Sequence, residues 1–419
     1  MTGQPIPDPI ANNLSLLPYV LLSASSAGAE STDEIVLDAL CAIRVYLDME
    51  VAFVGEFSGG RRHFRYVDSS LEHPPIAVGD SGPLEESYCQ RVVDGRLPEL
   101  IQDASLIPEA MELPVTTALP VGAHLSVPIR LGNGQIYGTF CCFSTRPDFT
   151  LGNRDLALMR LFANFASRQI GRELDAERQH REMRRRLDSV LESKSFTIVY
   201  QPIVELTEDK IVGFEALTRF WSRPIRSPDV WFSEAAEVGL SEELEMAAIA
   251  KALTGFDHLP DDIYLSLNVS PHNILNEAIH RTLRDAPLDR IVLEVTEHVP
   301  ISDYARFSQS LESLRDRGIR LAVDDAGSGY ASFLHILKLK PEIIKLDIGL
   351  IRDVDTDSNR RALTAALVGF AQESGSKLVA EGVETAPELA ALKQLRVDKV
   401  QGYLLGHPLP ICETAALFR

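Results

Sequence analysis

Charged and amide residues recur at the ends of short apolar runs throughout the second half of the sequence. The residues at or just after these run ends are Glu215, Asn268, Glu294, Glu297, Asp324, Asp325, Lys345, Asp347, Glu381, Glu384 and Gln401. If the runs are strands of one barrel, their carboxyl ends meet at a single face and these side chains converge there. Any one of them alone would more often be a solvated strand end or half of a salt bridge. Their repetition around a whole barrel instead predicts a shared site.

A cleft that gathers several carboxylates needs positive charge. Like charges repel, and burial adds a desolvation cost for each ionised group. Carboxylates with one amide are oxygen ligands that favour hard ions such as Mg²⁺ or Mn²⁺ over Zn²⁺. The adjacent Asp324 and Asp325 would allow one carboxylate to bridge two ions. Paired ions about 3.5–4 Å apart suit phosphodiester hydrolysis, because they activate a water and hold the attacking and leaving oxygens.

Eight apolar runs in residues 194–419 would position these side chains. They are Phe196–Val204, Ile211–Leu217, Ile263–Val269, Ile291–Val295, Ile319–Asp324, Ile343–Leu346, Lys377–Ala380 and Lys399–Leu404. Helical patterns lie between most of them, including Pro228–Leu253, Tyr304–Arg317 and Asn359–Glu373. Strands that alternate with helices predict an α/β fold, and eight of them predict a TIM-type (β/α)8 barrel, which needs about 250 residues or somewhat fewer.

The constellation resembles the EAL family of cyclic-di-GMP phosphodiesterases over essentially all of residues 196–409. The matching motifs are Tyr200-Gln201-Pro202-Ile203-Val204, Glu215-Ala216-Leu217 with Arg219, Asn268-Val269-Ser270, Glu294-Val295-Thr296-Glu297, Asp324-Asp325-Ala326-Gly327-Ser328-Gly329-Tyr330, Lys345-Leu346-Asp347, Ala380-Glu381-Gly382-Val383-Glu384 and Gln401-Gly402-Tyr403-Leu404. The resemblance implies an EAL barrel that cleaves cyclic-di-GMP with two Mg²⁺ or Mn²⁺ ions.

The resemblance also implies a ligand set for those ions. One ion would be held by Glu215, Asn268, Glu294 and Asp324, and the second would be held or oriented by Asp324, Asp325 and Glu381. Glu381 is also the candidate general base. Lys345 would position the attacking water and stabilise charge that develops on the phosphate.

Further residues would bind substrate or support the site. Arg219 would grip a phosphate with its planar guanidinium. Gln201 and Gln401 would contact substrate or a metal-bound water. Glu297 and Glu384 would support the loops beside the site, Glu297 the loop after Asp325.

One position departs from the family pattern. The family usually has Phe where this chain has Ala326, and Thr where it has Ser328. The serine keeps the hydroxyl, but the alanine removes an apolar anchor beside Asp325. We therefore expect reduced or dimer-dependent activity, and we expect that Ala326→Phe would not lower it. Because every metal ligand is retained, the sequence does not predict a dead enzyme.

Residues 1–166 predict a separate α+β domain. Strand-like runs occur at Val51–Phe57, His63–Val67, His124–Arg130 and Gln135–Ser144, with an Asn133-Gly134 hairpin signal between the last two. The domain resembles a GAF domain, carried by Ser87-Tyr88-Cys89, Asp103, Val127-Pro128-Ile129 and Gly138-Thr139-Phe140-Cys141. The ligand of this sensor domain is unknown. Cys89 as a chromophore attachment site and His124 as a haem ligand are weaker alternatives to core residues.

A helical linker is predicted over residues 167–193, between the sensor domain and a barrel at 194–419. Residues 167–193 contain no Pro and a single glycine, Gly171. Apolar residues recur at mostly helical spacing from Phe162 to Leu191, although Gln179 and His180 interrupt the series. An apolar seam needs a partner, and the same helix of a second chain predicts a homodimer.

Composition excludes several other classes of protein. The net charge of −19 disfavours nucleic-acid binding. Five cysteines without a C-x-x-C pair predict neither a disulfide framework nor a zinc site, and indicate a cytoplasmic protein. The apolar stretch Leu14–Ser23 has no preceding Lys or Arg, so a signal peptide is not expected, and no run reaches the roughly 20 residues of a membrane span.

The sequence therefore predicts an enzyme that hydrolyses cyclic-di-GMP to linear pGpG under control of a GAF-like domain. The alternative is a barrel that binds cyclic-di-GMP without cutting it and passes the signal on. The complete ligand set favours catalysis, while Ala326 favours the alternative. A dimeric scaffold with a vestigial site would show losses among the carboxylates. The absence of a G-G-D-E-F sequence argues against cyclic-di-GMP synthesis.

Overall fold

A computed structural model of the chain describes residues 31–296, 303–326 and 336–418. The chain divides into two compact units, with the boundary between Gln179 and His180. The apolar stretch Leu14–Ser23, Glu297 and the segment Gly327–Tyr330 lie outside the described residues. In the part of the chain that is described, no helix is both long enough and apolar enough to cross a membrane.

The N-terminal unit is an antiparallel sheet flanked by helices, as the sequence predicts. Its strands are β1 (Val51–Ser58), β2 (Arg61–Ser69), β3 (Ser81–Pro83), β4 (Leu100–Ile101), β5 (Ala123–Arg130) and β6 (Ile136–Ser144), and its helices are α1 (Thr32–Tyr46), α2 (Tyr88–Val93), α3 (Pro108–Met111), α4 (Pro114–Ala118) and the start of α5 (Asn153–Ser193). The strand order is β3-β2-β1-β6-β5-β4. The β5–β6 hairpin confirms the turn signal at Asn133-Gly134, where Gly134 has φ of 84°.

Two apolar layers enclose this sheet, because successive side chains of a strand point to opposite faces. On β6, Phe140 and Cys142 pack into the layer that contains α1 and the first part of α5. Cys141 and Phe143 pack into the opposite layer, with Tyr88 and Cys89 of α2. The two adjacent cysteines of β6 therefore belong to different cores, as the strand period predicts.

Helix α5 is continuous over its 41 residues, so the predicted helical linker is helical. Its apolar residues, however, do not form a free seam. Phe162 and Ile170 are buried in the core of the N-terminal unit, and Leu187 and Val190 in the core of the C-terminal unit. The expectation that the seam needs a second chain is wrong for these residues, since each end packs against its own unit.

The C-terminal unit contains the strands and helices of the barrel. Its strands are β7 (Phe196–Glu205), β8 (Lys210–Phe220), β9 (Tyr264–Asn268), β10 (Ile291–Thr296), β11 (Arg320–Ala326), β12 (Ile343–Leu346), β13 (Lys377–Ala380), β14 (Lys399–Val400) and β15 (Leu409–Pro410). Its helices are α6 (Pro228–Glu237), α7 (Ser241–Leu253), α8 (Pro271–Ile274), α9 (Glu277–Thr282), α10 (Tyr304–Arg315), α11 (Ile348–Ile351), α12 (Ser358–Ser374), α13 (Ala386–Leu395) and α14 (Ile411–Ala416).

Strands β7 to β14 close into the predicted eight-stranded barrel, because β14 pairs with β7. Strands β8 to β14 are parallel to one another, whereas β7 is antiparallel to the three strands that it pairs with, β8, β14 and β15. The reversal follows from the short connection 206–209, which joins β7 to β8 as a hairpin and leaves no room for a crossover. β14 is also shorter than the run Lys399–Leu404, since only its first two residues pair.

The single helix expected over residues 228–253 is divided in two. α6 ends at Glu237 and α7 begins at Ser241. Gly239 between them has φ of 72°, a left-handed conformation that ends a helix at little cost when the residue is glycine. The helical spacing of apolar residues continues across this break, so the spacing alone did not predict it.

Candidate functional site

The carboxyl ends of the parallel strands bring the predicted polar residues together. Glu215 of β8 is in register with Ser266 of β9, and Asn268 is in register with Glu294 of β10. Around the barrel, Asp324 follows on β11 and Lys345 on β12. Glu381 and Gln401 come directly after β13 and β14, and the reversed β7 contributes Gln201 opposite Glu215.

Lys345 is the positive centre of the site and is 1% exposed. Its Nζ lies 2.7 Å from Glu381 Oε1 and 2.9 Å from Glu294 Oε2. The same atom lies 3.3 Å from Asp324 Oδ1 and 3.6 Å from Glu215 Oε2. One ammonium group therefore contacts four carboxylates that come from four different strands or strand ends.

Side-chain amides hold Glu215 from two directions. Asn268 Nδ2 donates to Glu215 Oε1 over 2.9 Å, and Gln401 Nε2 donates to Glu215 Oε2 over 2.6 Å. Gln401 Nε2 also donates to Gln201 Oε1 over 3.1 Å. The other amide atom, Gln401 Oε1, is buried and has no hydrogen-bond partner in the described part of the chain. It is an acceptor oxygen free to meet a water or a ligand.

Asp324 and Asp325 lie side by side at the end of β11. The Asp325 backbone N–H donates to Asp324 Oδ1 over 3.0 Å. Asp325 has φ of 56°, a left-handed conformation that is uncommon for a residue other than glycine and is often found at functional sites. Oxygen atoms of Asp324, Asp325 and Glu381 lie within 4.8 Å of one another. These three carboxylates are close enough to share a cation.

The charge and chemistry of the donor set fit divalent cations. Glu215, Glu294, Asp324, Asp325 and Glu381 supply five carboxylates against the single ammonium of Lys345, an excess of four negative charges when all are ionised. Together with Asn268, these residues offer only carboxylate and amide oxygens as metal ligands, and Mg²⁺ and Mn²⁺ prefer such ligands. Two divalent ions would balance this charge.

The crowding of negative charge also affects the pKa values of the carboxylates. Burial raises the pKa of Glu294 to about 8, because burial together with repulsion from Glu215 and Asp324 outweighs the opposing charge of Lys345. Burial and the same kind of repulsion raise the pKa of Glu381 well above its ordinary range. Burial also raises the pKa of Glu215, but Lys345 and the amide donors outweigh it, so the pKa is lowered. A proton on Glu294 or Glu381 is what a bound cation would displace.

A cavity of about 560 Å³ opens beside these residues. Glu215, Asn268 and Asp325 line it, and so does Arg219. The guanidinium of Arg219 donates from Nη1 to the carbonyl of Thr218 over 2.9 Å. A phosphate entering this cavity would meet a cation and the carboxylate cluster together.

The sequence analysis did not identify two residues that form hydrogen bonds in the site. Ser266 donates its hydroxyl to Glu294 and is 1% exposed. Its position two residues before Asn268 on one strand is the signal that could have found it. Glu245 of α7 lines the cavity and accepts the backbone N–H of Ser270 over 2.9 Å, which holds the turn after Asn268.

Glu384 was expected to support the loop beside the site, but another glutamate accepts the hydrogen bonds that hold that loop. The Glu384 side chain is half-exposed and reaches Arg352 over 3.7 Å. Instead, Glu388 of α13 accepts the backbone N–H groups of Glu384, Thr385 and Asp353 over 3.0–3.1 Å. These hydrogen bonds hold the loop after Glu381. The sequence signal was the capping box Thr385-x-x-Glu388.

Ala326 has no exposed surface and packs in the main core of the barrel. The residue is the last of β11, where it is in register with Leu346. A phenylalanine there must displace neighbours in a packed core, so the structure argues against a gain on Ala326→Phe.

The two other ligand candidates lie in the core of the N-terminal unit. Cys89 is fully buried, and His124 is 2% exposed with its ring 4.7 Å from that of Tyr88. Burial and the charge of Arg62 lower the pKa of His124 to about 3, so its imidazole is neutral. Both residues pack as core side chains.

Comparison with known proteins gives two family matches. A model of the EAL domain matches residues 181–408, and a model of the GAF domain matches residues 31–170. The cyclic di-GMP phosphodiesterase NbdA of Pseudomonas aeruginosa is 29% identical over 270 residues, which are 61% of this chain and 34% of the relative. The bifunctional diguanylate cyclase/cyclic di-GMP phosphodiesterase MucR of the same organism is 30% identical over 237 residues, 54% of this chain and 34% of the relative.

Among solved structures, the PaMucR phosphodiesterase in complex with c-di-GMP is similar, with a TM-score of 0.51 and 27% identity. The match covers 56% of this chain and 99% of the solved one. By contrast, the chain spans less than half the length of the curated relatives that it matches.

Proposed function

Because this chain belongs to the EAL domain family, with a GAF domain ahead of the barrel, we propose that it hydrolyses cyclic-di-GMP to linear pGpG with divalent metal ions. The observation that carries the proposal is the ring of five carboxylates beside a cavity, four of which contact Lys345 Nζ, with an excess of four negative charges when all five are ionised. A ring of this kind is costly for a purely structural role, because the carboxylates repel one another out of water.

The proposed ligands are those expected from the sequence. One ion would be held by Glu215, Asn268, Glu294 and Asp324, and a second by Asp324, Asp325 and Glu381. Bound Mg²⁺ or Mn²⁺ would supply an activated water at neutral pH and charge neutralisation at the phosphate. In the reaction, the water oxygen forms a bond to phosphorus, the bond from phosphorus to the 3′ oxygen breaks, and that oxygen takes a proton.

The chain's own residues would orient the substrate and move the protons. Glu381 is the proposed general base, which accepts the proton of the attacking water. Lys345, whose Nζ forms an ion pair with Glu381 Oε1, would hold this carboxylate in place and stabilise the charge that develops on the phosphate oxygens. Arg219 would bind a phosphate from the cavity wall, and Gln201 and Gln401 would orient substrate or water through the free acceptor of Gln401.

Two comparisons support this substrate. The relative NbdA is named a cyclic di-GMP phosphodiesterase, and the similar MucR structure holds c-di-GMP. A second function, binding of cyclic-di-GMP without cleavage, is favoured by Ala326 at the end of β11, where the family usually has Phe. We further propose that the GAF domain, whose ligand is unknown, regulates the barrel. We also propose a homodimer, which light scattering would test.

The experiment is incubation of the full-length protein with cyclic-di-GMP and Mg²⁺ or Mn²⁺, followed by chromatography of the products. We expect pGpG, and no product when the ions are removed with a chelator. Binding of cyclic-di-GMP measured by calorimetry, without pGpG under any of these conditions, would establish the binding module instead. Absence of both binding and cleavage would overturn the proposed function.

A further inference from the structure

The core of the N-terminal unit contains an arginine without a carboxylate partner. Arg62 of β2 is 8% exposed, and its Cζ lies 4.2 Å from the centroid of the Phe64 ring. Its Nε has no hydrogen-bond partner, and no described carboxylate forms an ion pair with it. A buried cation is costly unless a negative charge lies nearby. The guanidinium therefore favours a neighbouring group that can carry negative charge.

A pair of thiols lies next to this guanidinium. Cys89 Sγ is 3.9 Å from Arg62 Nη1 and 3.7 Å from Cys141 Sγ, and both cysteines are fully buried. Cys141 Sγ also lies 3.1 Å from Ser126 Oγ and 3.2 Å from Thr139 Oγ1. These hydroxyls and the guanidinium form a polar pocket in which a thiolate can be stabilised.

The ionisation of the two thiols differs. Burial raises the pKa of Cys89, but the hydrogen bond from Cys141 and the charge of Arg62 outweigh it and lower the pKa to about 6. Burial and the neighbouring Cys89 raise the pKa of Cys141 well above its ordinary value. These opposite directions favour the thiolate on Cys89, beside the guanidinium of Arg62, and the protonated thiol on Cys141. The pair has the asymmetry of an attacking and a resolving thiol.

We propose that Cys89 and Cys141 form a peroxide-sensitive dithiol inside the GAF domain, which hydrogen peroxide converts to a disulfide. The Cys89 sulfur attacks one oxygen of the peroxide, the O–O bond breaks, and the released hydroxide takes a proton to become water. The Cys141 sulfur then attacks the sulfenic sulfur of Cys89, the S–O bond breaks, and a second water leaves with the Cys141 proton. Two thiols are oxidised and the two peroxide oxygens are reduced.

The geometry requires only a short approach of the two sulfurs. A disulfide has an S–S distance of about 2.05 Å, against the present 3.7 Å. Cys89 lies on the six-residue helix α2, and Cys141 lies on β6. Rotation of the side chains and a small shift of this short helix can close the gap.

Cys142 is the matched control within the same strand. It is fully buried like Cys141, but it faces the opposite core and contacts Met159, with Sγ 3.8 Å from Sδ. Burial raises the pKa of its thiol. Cys41 and Cys412 are exposed and report oxidation at the surface.

The test treats the full-length protein with hydrogen peroxide, alkylates the remaining thiols and analyses unreduced peptides by mass spectrometry. We expect a linked Cys89–Cys141 peptide that is two hydrogen atoms lighter than the free peptides and is lost on reduction. It should be absent from Cys89→Ser and Cys141→Ser and retained in Cys142→Ser. Near-UV circular dichroism establishes that each variant is folded.

A second variant probes the arginine without removing either thiol. Arg62→Met should slow oxidation of Cys89 by about tenfold, because less of the thiol is ionised. The higher nucleophilicity of the remaining thiolate offsets only part of this loss. The proposal would be overturned if Cys89 and Cys141 were still reduced, and therefore alkylated, after Cys41 and Cys412 had been oxidised. Oxidation of Cys89 to sulfinic acid with Cys141 still reduced, or equal rates in wild type and a folded Arg62→Met protein, would also overturn it.

Discussion

Lys345 Nζ lies 2.7 Å from Glu381 Oε1, where β12 and β13 run side by side. This contact joins the only ammonium of the described carboxylate cluster to the carboxylate proposed as general base. Lys345 thus has a structural part as counter-charge and a proposed chemical part at the phosphate. The two parts can be separated by experiment.

Removal of Lys345 should destabilise the protein most when divalent ions are absent. Lys345→Met leaves four contacted carboxylates without their buried cation, so we expect a loss of about 3 kcal/mol in the free energy of unfolding, partly recovered on adding Mg²⁺ or Mn²⁺. Thermal unfolding with chelator and with each ion measures both effects. Lys338→Met, at an exposed position, is the control and should change little. A loss of the same size with and without ions would contradict the proposed charge balance.

Lys345 and Asp325 should matter more for turnover than for substrate binding. Lys345 is proposed to stabilise charge that develops late, and Asp325 to hold an ion that activates the water. Lys345→Met or Asp325→Asn should therefore lower kcat by about 10²–10³-fold and change KM less. Steady-state kinetics on cyclic-di-GMP give both constants. An unchanged kcat with a raised KM in either variant would refute the assigned role.

Glu215→Ala should abolish turnover in a folded protein, because it removes a proposed metal ligand held by Asn268 and Gln401. We expect at least about a 100-fold loss of pGpG formation. Glu208→Ala, in the exposed turn between β7 and β8, should retain full activity. Near-normal cleavage by folded Glu215→Ala would disprove the metal assignment.

The stabilising effect of Glu388 should depend on pH. Burial raises the pKa of Glu388, but its backbone hydrogen bonds outweigh this effect and lower the pKa. The stabilisation is therefore complete above the ordinary carboxylate pKa of about 4.3 and is lost as the pH falls through the lower folded-state value.

Urea unfolding of Glu388→Gln measures this dependence. Near pH 7 we expect a loss of about 1–2 kcal/mol, since the amide retains only one acceptor oxygen. The difference from wild type should shrink below about pH 4. Glu384→Gln is the exposed control. A constant difference at all pH values would rule out the charge as the cause.

Ala326→Phe should destabilise the barrel by about 1–3 kcal/mol, because Ala326 is fully buried in the core. This expectation reverses the one from the family pattern. Thermal unfolding and pGpG formation measure the two effects, with Ala416→Phe at an exposed site as the control. A variant that is as stable as wild type and more active would restore the first expectation.

Much of the barrel and the chemistry of its site could be predicted from the sequence. The eight strands could be predicted from the alternation of strand and helix patterns, because the spacing of apolar residues in each is a local property of the chain. The carboxylates at strand ends could be read as converging, since parallel strands of a barrel present their carboxyl ends at one face. Glu215 and Lys345, far apart in sequence, are among the residues that meet there.

The features that the sequence analysis did not predict depend on contacts between residues distant in sequence or on single backbone angles. The reversal of β7 puts Gln201 beside Glu215 and Gln401, and it depends on how the hairpin closes the barrel. The break at Gly239 depends on one φ angle that the apolar spacing does not encode.

The apolar seam of α5 shows the same limit most clearly. Helical spacing determined that Phe162 and Leu187 lie on a helix and must be buried. Only the tertiary structure decided what buries them, which is each unit's own core. Burial of an apolar face is not directional, so the sequence specifies that a partner is needed without specifying which surface supplies it.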